Sequence, residues 1–519
     1  MPSTARRPVL AALALAMIFC ALATTAEPTA SPQAAAWYRA GADAVAGHER
    51  APAARRRARN VILFVGDGMG ISTVTAARIF EGQLLGGPGE DHQLAFEQLP
   101  YLALSKTYSA NQQTADSAPT ATAMVTGVKT REGSLSVDET IARDEKDAAV
   151  TERHALETLL EQAAARGMAT GIVTKTNVTD ATPASNYAHI AVRDWESDAD
   201  LPTGATVPDV AAQLVAAQKK YGIEVVLGGG RAPFMPNTQP DPEYPAQSGL
   251  RRDGRQLIDE WVAARPHSDY VWNRQQFDAI DPQKTRHLLG LFQPSAMNYE
   301  ADRKPLDGSP GLDPAGEPSL AEMTAKAIAI LRESDKGFYL MVEGGLIDHA
   351  HHAGNAYRAL TDTIAMSDAV RTALALTDAR ETLVIVTADH SHVFNLSGYP
   401  KRGNPILGFV IEPGATEPTL AADGKPYTTV GYLNGPGHAD LTPASDPDTA
   451  RPVNAGRHLK LTDPVGARDF YQEALVPLEY ETHGGEDVPI YASGPQAHLF
   501  RGTMEQNAIY HVMRKALGL

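Results

Sequence analysis

The chain holds one cysteine, Cys20, among 519 residues. It lies inside the apolar run "PVLAALALAMIFCALA", which follows Arg6 and Arg7 and precedes small residues at Ala23 and Ala26. A basic start, a short apolar stretch and small residues read as an export signal over residues 1–26, cleaved after Ala26. Phe19 does not suit a lipoprotein signal, and Pro8 fits ordinary secretion better than twin-arginine export. The run is too short for a membrane span, and the C-terminal "IYHVMRKALGL" has no hydrophobic tail for a lipid anchor. The mature chain is therefore expected to be exported, periplasmic or secreted, and free of cysteine. Disulfides cannot staple it, and thiolates cannot serve as its metal ligands.

Positive charge is also in short supply. Lys and Arg number 46 against 62 Asp and Glu, a net charge of −16. That excludes a general nucleic-acid binder, because phosphate backbones attract the opposite sign. An anionic substrate would need local positive charge from arginine, metal ions or helix N-termini. The chain shows no internal repeat and no low-complexity tract. With 43% hydrophobic and 21% charged residues it has the composition of an ordinary globular protein.

Residues 27–57 read as an N-terminal helical arm with a solvated basic end, "ARRRAR". Short apolar runs then recur at the spacing of an α/β sheet: "VILFVG" (61–66), "TGIVT" (170–174), "IEVVLGGG" (223–230), "GFYLMVE" (337–343) and "TLVIVTADH" (382–390). Amphipathic stretches at 151–165, 320–333 and 355–376 predict helices between them. Residues 232–315, rich in Pro, Asp and aromatics, suggest a long excursion. Residues 399–480, rich in Gly and Pro, suggest an inserted surface subdomain before core-like sequence returns from 481 to 519.

Buried parallel strands present functional residues at their carboxyl ends. Three of the runs end in metal-type ligands: Asp67, Glu343, and the pair Asp389 and His390. One strand ending in an acid commonly marks a turn or a helix cap. Three together, two with glycine beside the acid, point to a cation site. In "VEGGLIDHAHHAG" (342–354), a helix beginning near Asp348 puts Asp348 and His352 on one face at i and i+4. That spacing lets both reach one Zn²⁺. His349 and His351 point to either side of that ridge. In "TADSAPTATAMVTGVK" (114–129), Ser117 follows Asp116 and opens a helix whose N-terminus favours phosphate. An Asp–Ser pair is also an ordinary N-cap, but a metal ion able to ionise the hydroxyl removes the need for a Ser–His–Asp arrangement.

With these pieces together the chain resembles the alkaline phosphatases over nearly all its mature length. The matching stretches are "GDGMG", "DSAPTATAMVTGVK", "DATPASNYAHIAVRDWESDAD", "LGGGR", "VEGGLIDHAHHAGNAYRAL", "VTADHSHVFNLSGYPKRG" and "ETHGGEDVPIYASGPQAHL". Their wording is closer to the animal-type branch. The resemblance implies a three-layer α/β/α sandwich around a large, mostly parallel sheet, with core segments 58–398 and 481–519 and a crown-like insert at 399–480. It implies hydrolysis of phosphate monoesters through a phosphoserine on Ser117, with two Zn²⁺ and one Mg²⁺ per subunit. Asp348, His352 and His483 would hold one Zn²⁺, and Asp67, Asp389 and His390 the other. Asp67 would bridge to a Mg²⁺ held by Thr182 and Glu343, with Asp180 completing the set. Arg193 would grip two phosphate oxygens, oriented by Asp116. Inorganic phosphate would be product and inhibitor, and the subunits would form a homodimer.

Two positions mix the branches of the family. Asp180 follows the enterobacterial pattern, and His349, expected to tune the site from just outside it, follows the animal pattern. The aspartate favours Mg²⁺ there, because hard cations prefer oxygen. A calcium-type fourth site aligns with Glu243, the Phe292 carbonyl, Gln293 and Glu317. Gln293 and Glu317 replace a family glutamate and aspartate, so that site would lose a charge and change shape. Alternatives are a phosphodiesterase or sulfatase of the same superfamily, or a non-catalytic phosphate- or metal-binding exported protein. Ser117, Arg193 and every zinc position being present argues for the monoesterase.

Overall fold

The computed structural model describes residues 54–438 and 465–519. The export segment with Cys20, nearly all of the arm at 27–57, and residues 439–464 of the insert lie outside them. The first eight strands are β1 (Asn60–Gly66), β2 (Tyr101–Lys106), β3 (Ala169–Asn177), β4 (Val225–Gly229), β5 (Ser268–Val271), β6 (His287–Leu291), β7 (Phe338–Glu343) and β8 (Thr382–Ala388). Five short ones follow: β9 (Ser391–His392), β10 (Phe394–Leu396), β11 (Val430–Gly435), β12 (Ala474–Pro477) and β13 (His483–Gly484). The last are β14 (Val488–Ser493) and β15 (Thr503–Glu505).

Ten of them form one sheet in the order β15-β2-β14-β8-β1-β7-β3-β4-β6-β5. Every pairing from β8 to β5 is parallel. β14 alone runs against its neighbours β8 and β2.

The run "NVILFVG" is apolar throughout because β1 is covered on both faces, as central parallel strands are. Val61, Leu63 and Val65 enter one core, and Ile62 and Phe64 the other. Each of these buried side chains contributes about 1.5–3 kcal/mol of hydrophobic stabilisation. Helices Ser117–Thr126, Leu159–Ala165, Val210–Tyr221 and Ala508–Leu517 supply the first core. Helices Ile71–Leu84, Leu320–Leu331 and Ala356–Leu376 supply the second. This is the three-layer α/β/α arrangement implied above. Among the described residues no helix is long and apolar enough to cross a membrane.

Two elements differ from their sequence reading. The expected helix at 151–165 is two helices, Ala148–His154 and Leu159–Ala165. Ala155 is extended and bridges to Val137, and the Thr158 hydroxyl then caps a new helix by accepting the Glu161 N–H at 3.1 Å. The excursion at 232–315 is not wholly outside the sheet, since β5 and β6 extend its edge. In the insert, β11 and β12 join β10 in a separate three-stranded sheet.

The topology decides where the chemistry collects. Adjacent strands β8, β1, β7 and β3 end side by side, with Gly66 opposite Ala388 and Val65 opposite Glu343. Asp389, Asp67, Glu343 and Asp180 therefore leave one edge of the sheet together. Because β14 runs the other way, its leading residues arrive at that same edge. The pairing of β13 with β9 places His483 opposite His392.

Glu224, at the start of β4, accepts the Thr170 N–H at 2.8 Å beneath the sheet. Burial raises its carboxyl to about 7. The folded value lies above the usual 4.5, so folding favours the protonated form. The stabilisation is complete below pH 4.5 and lost as pH rises through 7. Glu224→Gln is expected to raise stability by about 2–3 kcal/mol at pH 8, with little change at pH 4. Urea unfolding at the two pH values checks it; equal shifts at both would contradict the burial explanation.

Candidate metal centre

Two clusters of potential ligands stand at the carboxyl edge: Asp348, His352, His392 and His483, and Asp67, Asp389 and His390. Asp67 follows β1, and the next residue, Gly68, has φ +66°. A Cβ there would collide with the His392 ring, so only glycine lets the chain turn this close. The Gly68 N–H donates to Asp389 Oδ1 at 3.0 Å, tying the ends of β1 and β8 together. Asp348 and His352 lie one turn apart on the helix Leu346–His352, whose start precedes the expected one by two residues.

Hydrogen bonding fixes the histidine tautomers. His352 Nδ1 lies 2.5 Å from the Glu481 carbonyl oxygen, and His483 Nδ1 lies 2.9 Å from that of Ala115. Carbonyls only accept, so both Nδ1 atoms carry a proton, and in the neutral rings both Nε2 atoms present lone pairs. Those Nε2 atoms face each other at 3.0 Å and stand 3.3 Å from Asp348 Oδ1. Lone pairs so arranged repel unless a cation lies among them, and ring N–H groups held by carbonyls are the usual support of metal-binding histidines.

The second cluster repeats the pattern. His390 Nδ1 faces the Ser391 carbonyl at 3.3 Å, while Nε2 lies 3.3 Å from both Asp67 Oδ1 and Asp389 Oδ2. Asp389 Oδ2 is buried with no hydrogen-bond partner. Burial, reinforced by Asp389, Asp348 and Glu343, raises Asp67 well above the carboxylate range. Burial also lowers His352 to about 4 and His390 far below its usual value. Neutral imidazoles and crowded carboxylates without thiolates suit Zn²⁺.

Thr182 and Glu343 are 2% and 1% exposed, and the Thr182 hydroxyl also lacks a partner. Burial, then the charge of Asp180, raises Glu343 to about 7. An all-oxygen set of this kind suits a hard cation such as Mg²⁺. Asp180, expected to complete it, is turned to Arg193: Nη2 donates to Asp180 Oδ1 at 2.5 Å, whereas Nη1 reaches Asp116 only at 3.4 Å. Asp180 is thus the nearer partner of the arginine. Although burial opposes it, Arg193 and His349 hold the Asp180 carboxyl well below the usual range. His349 Nε2 stands 3.8 Å from Asp180 Oδ2.

Ser117 opens its helix with Asp116 as N-cap, whose carboxylate accepts the Ala118 N–H at 2.7 Å. The Ser117 hydroxyl lies 3.2 Å from His390 Nε2 and 3.5 Å from Asp67 Oδ1, at the edge of the second cluster. A cavity of about 840 Å³ opens over the site, lined by Asp116, His349, His352, Tyr480, Glu481 and His483.

Residues 58–519 match the sequence profile described as Alkaline phosphatase. The chain belongs to the alkaline phosphatase family. Membership makes it a phosphoric monoester hydrolase. The tissue-nonspecific alkaline phosphatases of Felis catus and Homo sapiens are 44% and 43% identical over 468 and 470 residues, 88% of this chain and 83% of each relative. The alkaline phosphatase of Gadus morhua is 42% identical, covering 89% of this chain and 92% of its own length. Among solved structures, Thermus thermophilus alkaline phosphatase superposes with a TM-score of 0.61 at 24% identity, over 91% of this chain and 95% of that one. The enzyme from the Antarctic bacterium TAB5 gives 0.57 at 21%, over 89% and 99%. These two show the shared alkaline phosphatase fold.

Sequence reasoning missed His392 and Glu481. His392 Nε2 lies 2.7 Å from Asp348 Oδ1, and its Nδ1 lies 2.5 Å from Glu481 Oε2. Burial opposes protonation, but the two carboxylates outweigh it and raise His392 to about 10. It is an imidazolium that steadies Asp348, unlike the lone-pair histidines beside it. The available signal was the alternation in "DHSH", which puts His390 and His392 on one side of an extended segment. His351 is buried between Thr73 and Tyr432, 2.9 and 2.8 Å from their oxygens.

The calcium-type residues are also near one another, with an addition. Gln293 Nε2 donates to Glu317 Oε2 at 3.4 Å, and Asn298 donates to Glu317 from both its N–H and its side chain. Phe292 is buried in the second core. Arg231 donates to Glu243 Oε2 at 3.1 Å. Asp313, unforeseen in the sequence, approaches both glutamates. Burial, then Asp313, raises Glu243 to about 7; burial also raises Glu317 to about 7, with Lys175 opposing.

Proposed function

We propose that the chain hydrolyses phosphate monoesters through a phosphoserine on Ser117, using two Zn²⁺ and one Mg²⁺. Asp348, His352 and His483 would hold one Zn²⁺, and Asp67, Asp389 and His390 the second. Asp67, Thr182, Glu343 and Asp180 would hold the Mg²⁺. When bound, these cations supply positive charge to the phosphoryl oxygens and lower the pKa of a coordinated hydroxyl or water. No fourth ion is assigned, because Arg231 already brings positive charge to Glu243.

The observation that carries the reading is the Ser117 hydroxyl at a helix N-terminus, against the Asp67/Asp389/His390 cluster. There the serine oxygen attacks phosphorus, the bond from phosphorus to the substrate alcohol breaks, and the phosphoryl group rests on Ser117. Water then attacks the phosphoserine, returning the hydroxyl and releasing inorganic phosphate. Arg193 holds two non-bridging oxygens as a bidentate fork, itself steadied by Asp180 and Asp116. The open cavity leaves the alcohol largely unread, which supports a broad substrate range. The reading includes action after export and a homodimer, the latter supported by exposed Leu475 and Val476 on β12.

The test is a substrate panel on the Zn²⁺/Mg²⁺-loaded protein: p-nitrophenyl phosphate, its bis-ester and p-nitrophenyl sulfate. The monoester is expected to dominate. Arg193→Ala should weaken competitive inhibition by phosphate about 10- to 100-fold, because hydrogen bonds to charged groups contribute about 1.5–3 kcal/mol. Preference for the diester or sulfate, or no turnover, would overturn the proposal.

A further inference from the structure

β3 is irregular where it nears the site. Between Val173 and Asn177 it advances four residues while its partner β4 advances two, from Leu227 to Gly229. Irregularities of this kind re-aim side chains. Here the re-aimed residues are Thr174, Lys175 and Thr176. The Thr176 N–H donates to Thr174 Oγ1 at 2.9 Å, and the two hydroxyl oxygens stand 2.8 Å apart. Both hydroxyls also reach one atom of the neighbouring strand, Glu343 Oε2: that of Thr176 at 3.2 Å, and that of Thr174 more closely. Lys175, between them, pairs with Asp362 Oδ1 at 2.7 Å on the long helix, pinning the strand from its other side.

The arrangement is dry and fully built. Thr174 and Thr176 are 0% exposed and Glu343 1%. Gly345 makes room for it, since a Cβ there would collide with the Thr176 methyl and stand 3.0 Å from Glu343 Oε1. Thr174 Oγ1 accepts the Thr176 N–H and has a second acceptor site for the Thr176 hydroxyl, which leaves its own hydrogen for the closer contact, with Glu343 Oε2.

We propose that Thr174 and Thr176 are positioning residues for Glu343: together they claim Oε2, fix the carboxylate's rotation and reserve Oε1 for Mg²⁺. The pair thereby sets the Mg²⁺ affinity of the third site without touching ion or substrate. This rests on the reading of Glu343 as a Mg²⁺ ligand. Removing a group that orients a metal ligand costs about 10–100-fold in affinity.

The experiment titrates Mg²⁺ into zinc-loaded full-length protein by calorimetry, with bound zinc and magnesium counted by mass spectrometry. Thr174→Val is expected to raise the Mg²⁺ Kd about 10–100-fold at unchanged zinc content. Thr176→Val should raise it less, and Thr174→Ser should restore affinity to within a few-fold of the parent. If Thr174→Val does not fold, Thr176→Val and Thr174→Ser decide the matter. Wild-type Mg²⁺ affinity in Thr174→Val and Thr176→Val, with Glu343→Gln weakened, would overturn the positioning role alone. Wild-type affinity in Glu343→Gln as well would overturn the assignment of Glu343 and this inference with it.

Discussion

Ser117→Ala is expected to lower turnover of an aryl phosphate by about 10⁴–10⁶-fold, the range seen when a covalent nucleophile is removed. In the proposed mechanism serine would carry the phosphoryl group between the two half-reactions, and alanine would leave only direct attack by water. The residual rate comes from Arg193 and whatever charge the clusters hold. Metal content should not change, because Ser117 only borders the cluster. Stability should change little, since the hydroxyl's two buried neighbours, His390 and Asp67, still face each other at 3.3 Å. The checks are steady-state turnover, mass spectrometry of acid-quenched enzyme for the phosphoserine, and metal analysis. Near-parental turnover would remove Ser117 from its role.

Stripping the metals should have an effect of similar size and reach further into the fold. Asp67 and Asp389 are 6% and 0% exposed, and burial raises both carboxyls, reinforced at Asp67 by neighbouring acids and opposed at Asp389 by the Gly68 N–H. Two imidazole Nε2 atoms face each other at 3.0 Å in the adjoining cluster, where two neutral rings would set lone pair against lone pair. A bound cation relieves both strains, so a chelator removes activity and stability together. Each ion present at a hundred times its Kd stabilises by about 2.7 kcal/mol. The expected result is activity at background and a melting temperature several degrees lower. Zinc with magnesium should restore both in the parent protein. Asp389→Ala should not recover, because it lacks a carboxylate of the second cluster. Full turnover in protein shown by mass spectrometry to be metal-free would contradict the proposed chemistry.

Much of the fold was legible because its central strands are buried on both faces. "VILFVG", "GFYLMVE" and "TLVIVTADH" are continuous apolar runs for that reason, and their ends mark the carboxyl edge of the sheet. β5 escaped notice for the opposite reason: it is a four-residue edge strand, with three of its four residues partly or fully exposed. The helix at 151–165 was misread because periodicity carries through the Ala155–Thr158 break, which is made by a strand bridge and a cap. Convergence of Asp67 with Asp389, or of Asp348 with His483, was carried by motif resemblance, since no local rule reaches that far along a chain. His392 and Glu481 stayed hidden because their roles depend on each other. A histidine between two carboxylates looks like any other until the fold brings the second carboxylate in. Arg193 taking Asp180 as its nearer partner is likewise a matter of side-chain direction.

The reversed strand β14 has a consequence for how the protein is made. The segment leading into it, β13, carries His483 to the first cluster from the far end of the chain, 368 positions from the Ala115 carbonyl that its Nδ1 faces. Chains emerge from the ribosome N-terminus first, so a nascent chain carries Asp348, His352 and His392 long before the last histidine exists. The four-residue cluster cannot form on an incomplete or still-threaded polypeptide. Capture of an ion by all four of these side chains is thereby postponed until His483 has emerged and docked. A chain passing unfolded through an export channel would cross without its ions and acquire them from the compartment it enters.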